Sequence, residues 1–136
     1  MKYRKQLYSK KKVVIKVGSS SLTHPNGALN LMRIEKLVRA ISDIQNSGRQ
    51  VILVSSGAIA TGANKMGIEK KPEDNAKKQA LAAIGQAELI KIYDKFFEEY
   101  NKTVAQVLLT KDGIENHIRK TNAINTINEL LKMNII

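Results

Sequence analysis

Apolar residues along this chain fall into two alternating patterns: short β-branched runs, and longer stretches in which apolar positions recur at helical spacing. Lys12-Val13-Val14-Ile15-Lys16-Val17 is a β-branched run stopped by Gly18, which predicts a buried strand over residues 12–17. His24-Pro25-Asn26-Gly27 is loop punctuation, and Asn30 is placed to cap a helix carrying Ile34, Leu37, Val38, Ile41 and Ile44 on one face. Gly48 closes that helix, and Gln50-Val51-Ile52-Leu53-Val54 predicts a second strand over residues 50–55. A short helix to about Met66 follows, then a loop opened by Pro72. The longest helix is expected over residues 75–99, with Leu81, Ile84, Ile92 and Phe96 facing inward. A third strand is expected over residues 103–110. Asp112, with Glu115 three residues later, then opens a last helix running to about Met133 with a capping-box-like start. Asn134-Ile135-Ile136 reads as the beginning of a fourth strand.

Strands alternating with helices of this length predict an α/β fold: three αβα layers around a mainly parallel sheet, incomplete at the C-terminus. At 136 residues the chain makes one domain or part of one. We expect residues 12–136 to form the N-terminal part of such a domain, behind an arm at residues 1–11.

The net charge of +11 suggests a nucleic-acid partner until its location is considered. Lys2, Arg4, Lys5, Lys10, Lys11, Lys12 and Lys16 crowd the first 16 residues, where no acid occurs; the remainder carries only +4. The body is therefore ordinary, and the arm reads as a solvated leader or as a segment that touches phosphates nonspecifically. Aromatic residues make up 4% of the chain and none interleaves with the basic positions as a base-stacking platform requires, so no specific nucleic-acid partner is expected. No cysteine is present, which excludes disulfides, a thiol nucleophile and cysteine-based zinc sites. No apolar run approaches the roughly 20 residues of a membrane span, and no signal-peptide core follows the basic start. The expectation is a soluble, cytoplasmic protein with no membrane partner.

Ligands of open parallel sheets bind beyond the carboxyl ends of the strands. The first strand ends in Lys16-Val17-Gly18-Ser19-Ser20-Ser21, where a lysine precedes a turn of glycine and hydroxyl residues. Such a turn presents backbone N–H groups and hydroxyls to an anion, and the ammonium offsets phosphate charge. It is neither the P-loop, whose lysine follows its glycines, nor the dinucleotide pattern GxGxxG. A tight turn after a strand also selects Gly and Ser, and that purely structural reading stands beside the functional one. The second strand ends in a similar turn, Ser55-Ser56-Gly57-Ala58, suited to a carboxylate or phosphate at a helix N-terminus, or simply to an N-cap. No serine-hydrolase elbow occurs. His24 and His117 have no partner histidine at ligand spacing, and the carboxylates sit on helix faces, so no metal-ligating set is expected.

Taken together, Val14-Ile15-Lys16-Val17-Gly18-Ser19-Ser20-Ser21-Leu22-Thr23, Val54-Ser55-Ser56-Gly57-Ala58-Ile59-Ala60-Thr61-Gly62 and Gln79-Ala80-Leu81-Ala82-Ala83-Ile84-Gly85-Gln86 closely resemble the amino-acid kinase family, in particular its glutamate-phosphorylating branch. The likeness covers residues 12–136 in order. Aspartate, acetylglutamate and uridylate kinases share the first turn in looser form but not the combination. The resemblance implies a transferase that phosphorylates the side-chain carboxylate of L-glutamate with ATP and Mg²⁺, giving γ-glutamyl phosphate for proline biosynthesis. It implies Lys16 as the catalytic contact to the transferring phosphoryl group, with Lys16, Gly18, Ser19 and Ser20 around the ATP phosphates and Ser56, Gly57 and Ala58 holding glutamate. The uncovered sheet edge and the apolar face of the last helix point to self-association as a homo-oligomer. The family domain is about twice this length, so the chain is expected to be inactive alone. Ile124 stands where the family usually carries arginine. A non-catalytic ligand-binding or regulatory fragment of the same fold and, further off, a basic nucleic-acid-binding protein are the competing readings.

Overall fold

The β-branched run at the start forms β1 (Lys12–Val17), and the second forms β2 (Gln50–Ser55). The computed structural model describes residues 6–70 and 72–136; Lys2, Arg4 and Lys5 of the basic arm lie outside them. The two strands pair in parallel, with Lys12 opposite Gln50 and Val17 opposite Ser55. Between them run a single turn of helix, α1 (Ser19–Leu22), and α2 (Leu31–Asn46). The connecting loop folds back on itself through a Thr23–Leu29 bridge, and the Asn30 side chain caps α2 by accepting from the Arg33 N–H at 3.1 Å. Crossing from one parallel strand to the next through a helix is the only short route the geometry allows.

After β2 come α3 (Ala58–Lys65) and the long α4 (Asn75–Glu98), whose start is capped by Asp74 accepting from Ala76 and Lys77. Among the described residues, the core gathers Leu22, Ile34, Val38, Ile41, Val51, Tyr93 and Phe97, so α2 and α4 cover one face of the sheet, joined by Ile15, Val17 and Leu53. Each fully buried side chain of this kind contributes about 1.5–3 kcal/mol relative to exposure. Lys12, Val14 and Lys16 point to the opposite face, which meets the last helix chiefly where the Gln50 side chain donates to the Leu131 carbonyl at 3.0 Å.

Three expectations change. The buried positions of α4 are Leu81, Gly85, Leu89, Tyr93 and Phe97, while Ile84, Ile92 and Phe96 lie at the margin. A stripe at every fourth residue winds round a 3.6-residue helix, because α4 meets α3 near its start and α2 near its end. The last helix is broken in two: α5 (Lys111–Glu115) is capped by Thr110 accepting from the Gly113 N–H, and α6 (His117–Lys132) by Asn116 accepting from the Arg119 N–H. Asp112 therefore does not act as the cap. Residues 103–110 are extended but form no strand. Among the described residues, their only ladder-like pairing is with Ile136, which donates to the Thr103 carbonyl at 3.1 Å and accepts from the Ala105 N–H at 2.9 Å.

Candidate functional site

Both glycine–serine turns lie at the carboxyl ends of β1 and β2, which are neighbours, and the structure joins them directly. The Val17 carbonyl accepts from the Ser56 N–H at 3.2 Å and from the Ser56 hydroxyl at 3.1 Å. Gly57 has φ +106°, and a β-carbon there would stand 3.3 Å from Ser19 Cβ. A side chain at Gly57 would thus be both strained and pressed on the first turn, so glycine is what allows the turns to touch.

Lys16, Gly18, Ser19, Ser20, Ser56, Gly57 and Ala58 are accordingly brought to one end of the sheet. Lys16 is exposed and forms no ion pair among the described residues. Gly18 caps α1, and Ser19 and Ser20 are exposed on it. The Ser56 hydroxyl donates to the Val17 carbonyl and keeps its lone pairs open to the site. Beside it, the first-turn N–H groups of α3 have no partner within the helix.

The site is held from behind by contacts that sequence reasoning did not anticipate. The Ser55 hydroxyl and the Tyr93 hydroxyl are 2.9 Å apart, tying the end of β2 to α4, and burial pushes the Tyr93 phenol up from its ordinary value. Gly62 and Gly85 bring α3 and α4 into backbone contact: a β-carbon on Gly85 would lie 1.7 Å from the Ala58 carbonyl oxygen, and one on Gly62 would lie 2.0 Å from that of Leu81. Glycine inside a helix costs about 1 kcal/mol relative to alanine, and that local cost was the signal available in the sequence. Arg33 also reaches the first turn, its guanidinium 3.5 Å from the Ser20 carbonyl. His24 and His117 are exposed, and Ile124 is exposed on α6.

The sequence matches the amino acid kinase family over residues 11–136. The chain belongs to that family. Among curated relatives, it is 57% identical over 133 residues to a glutamate 5-kinase of Clostridium perfringens (strain 13 / Type A), covering 98% of this chain and 49% of the relative. It is 49% identical over 138 residues to a glutamate 5-kinase of Clostridium tetani (strain Massachusetts / E88), covering 100% and 52%, and 50% identical over 133 residues to one of Enterococcus faecalis (strain ATCC 700802 / V583), covering 98% and 49%. The chain spans about half the length of these relatives.

Proposed function

We propose that residues 12–136 carry the phosphate turn and the substrate turn of a glutamate 5-kinase, an ATP-dependent phosphotransferase acting on the side-chain carboxylate of L-glutamate. The observation that carries this reading is the Val17 carbonyl shared by both turns, which puts Lys16 and the N-terminus of α3 at one sheet end. Phosphoryl transfer to a carboxylate needs no general base, because the nucleophile is already ionised. It needs in-line positioning and charge compensation. Lys16 supplies a cation for the transferring phosphoryl oxygens. Gly18, Ser19 and Ser20 line the ATP phosphates, and Arg33 braces that turn from outside. The N–H groups at Ala58 and after receive a substrate carboxylate, Gly57 keeps them within reach of Ser19, and the Ser56 oxygen accepts from the substrate ammonium.

Among the described residues no group of three His, Cys, Asp or Glu side chains could hold a metal ion. Mg²⁺ would therefore enter on the ATP phosphates, where it would offset their charge beside Lys16. Among the described residues, no helix is long and apolar enough to cross a membrane. A cytoplasmic homo-oligomer, with residues 1–11 as a separate arm, completes the proposal. The exposed Ile114, Ile118 and Ile124 of α5 and α6 are available for self-association.

The test is a chimera of this chain with the unmatched portion of the Clostridium perfringens relative, assayed by coupled ADP release. Turnover that depends on glutamate, and is absent from the 136-residue chain alone, is expected. A well-folded chimera that consumes ATP equally without glutamate would overturn the assignment.

A further inference from the structure

The turn between β2 and α3 is held by the backbone on both sides of its centre. The Ser56 N–H donates to the Val17 carbonyl at 3.2 Å, and the Gly57 carbonyl accepts from the Thr61 N–H at 3.0 Å. The peptide unit between them, from the Ser56 carbonyl to the Gly57 N–H, has no backbone partner among the described residues. Its carbonyl faces the Ser55 hydroxyl at 3.4 Å. A unit free of backbone bonds and followed by Gly57 at φ +106° is able to turn over, because glycine adopts either sign of φ. The Ser55 hydroxyl is in turn 2.9 Å from the hydroxyl of Tyr93, which is 6% exposed. Each hydroxyl carries one proton. Were Ser55 the donor to Tyr93, the phenolic proton would have no acceptor among the described residues and the Ser56 carbonyl would have no donor. Both protons are used when Tyr93 donates to Ser55 and Ser55 donates to the Ser56 carbonyl.

We propose that Tyr93 is a positioning residue: through the Ser55 hydroxyl, it locks the Ser56–Gly57 peptide in the orientation that offers the Gly57 N–H to the substrate carboxylate. The N–H and C=O of a trans peptide point to opposite sides. Holding the Ser56 carbonyl on the Ser55 side therefore turns the Gly57 N–H the other way. That N–H is the first of four at the start of α3 with no acceptor inside the helix. Released from Ser55, the peptide presents the Ser56 carbonyl oxygen in place of the N–H, and an acceptor repels a carboxylate. The role in substrate binding rests on the function proposed above, whereas the lock on the peptide does not. Because the N–H holds the carboxylate in ground and transition states alike, its loss falls on KM for glutamate rather than on kcat.

The experiment compares Tyr93→Phe, Ser55→Ala, the double variant and Ser55→Thr in the chimera, by steady-state kinetics and by crystal structures of the parent and Tyr93→Phe proteins. Tyr93→Phe is expected to raise KM for glutamate about tenfold, the loss of one hydrogen bond to a charged group, with kcat and KM for ATP within about twofold of the parent. Ser55→Ala should match it, and the double variant should go no further, because both act on one peptide. Ser55→Thr keeps a hydroxyl and should restore the parental KM. In the crystal of Tyr93→Phe the Ser56 carbonyl should be turned over, wholly or in part. A Ser56 carbonyl that keeps its parental orientation would overturn the proposal. So would additive effects of the two substitutions, or a fall in Tm with KM for glutamate unchanged. A parent chimera without glutamate-dependent turnover would overturn the proposed function, and the orientation of the peptide would still decide the lock.

Discussion

Replacing Gly85 by alanine tests how the site is supported. On an exposed helix the substitution stabilises by about 1 kcal/mol, because alanine is the better helix former. Here the new β-carbon would lie 1.7 Å from the Ala58 carbonyl oxygen and 2.6 Å from the Gly62 nitrogen. Both obstacles are backbone, so no rotamer change relieves them, and α3 must withdraw from α4 by roughly 1.5–2 Å to restore ordinary contact. Overpacking of a well-filled interior costs about 1–3 kcal/mol, and a backbone clash belongs at or above the top of that range. After the propensity gain, a net loss of about 2 kcal/mol is expected, or a fall in Tm of roughly 6–10 °C for a domain of this size. Ala58 opens α3, so the displacement also moves the turn proposed to hold the substrate, and a shift near 1 Å at a reacting centre costs about a hundredfold in rate. The assay pairs thermal unfolding by circular dichroism with kcat/KM in the chimera, with the exposed Ala87→Gly as a control for propensity alone. A Gly85→Ala protein as stable as the parent, or more so, would refute the close-approach argument.

Lys16→Ala should depress turnover in the chimera by orders of magnitude while barely moving Tm, since the exposed ammonium has no structural partner among the described residues; near-parental turnover would remove Lys16 from the chemistry. Ser56→Ala should cost about 1 kcal/mol by deleting one of the two bonds to the Val17 carbonyl. It should also raise KM for glutamate more than it lowers kcat, and a change confined to KM for ATP would move Ser56 to the nucleotide side. The Tyr100 hydroxyl donates to Glu35 at 2.7 Å and, with the Arg39 guanidinium, holds the Glu35 carboxyl below its ordinary value. A lowered folded-state pKa contributes stability that is present above the unfolded value, about 4.3, and lost as the pH falls through the folded one. Tyr100→Phe should therefore flatten the acid limb of the stability curve measured by urea unfolding, and an unchanged limb would show that the contact does not persist in solution.

Local physics was legible in the chain. β1 and β2 form where β-branched runs meet Gly and Ser, and Asn30 caps α2 as its position before an apolar-periodic stretch implied. Membership of the amino acid kinase family was likewise readable, because three motifs in order are a linear signal. The parallel direction of β1 and β2 also followed from strands alternating with helices, whereas the contacts that fix side chains between distant elements required the tertiary structure. Of the stripe expected on α4, Leu81 is buried, but Ile84, Ile92 and Phe96 lie one residue off the buried line, because the helix has two apolar margins and the positions of α3 and α2 select between them. Residues 103–110 have strand composition, yet a strand exists only with a partner for its N–H and C=O groups, and composition does not supply one. The break at Asn116 depends on a side chain preferring to cap rather than continue a helix, a close local competition that periodicity does not decide. In the candidate site, the residue types were visible from the motifs. Their place at neighbouring strand ends was expected too, but the contacts that join them were not, because these rest on one carbonyl at Val17 reaching Ser56 and on two glycines, Gly57 and Gly85, whose value lies in the side chains they lack.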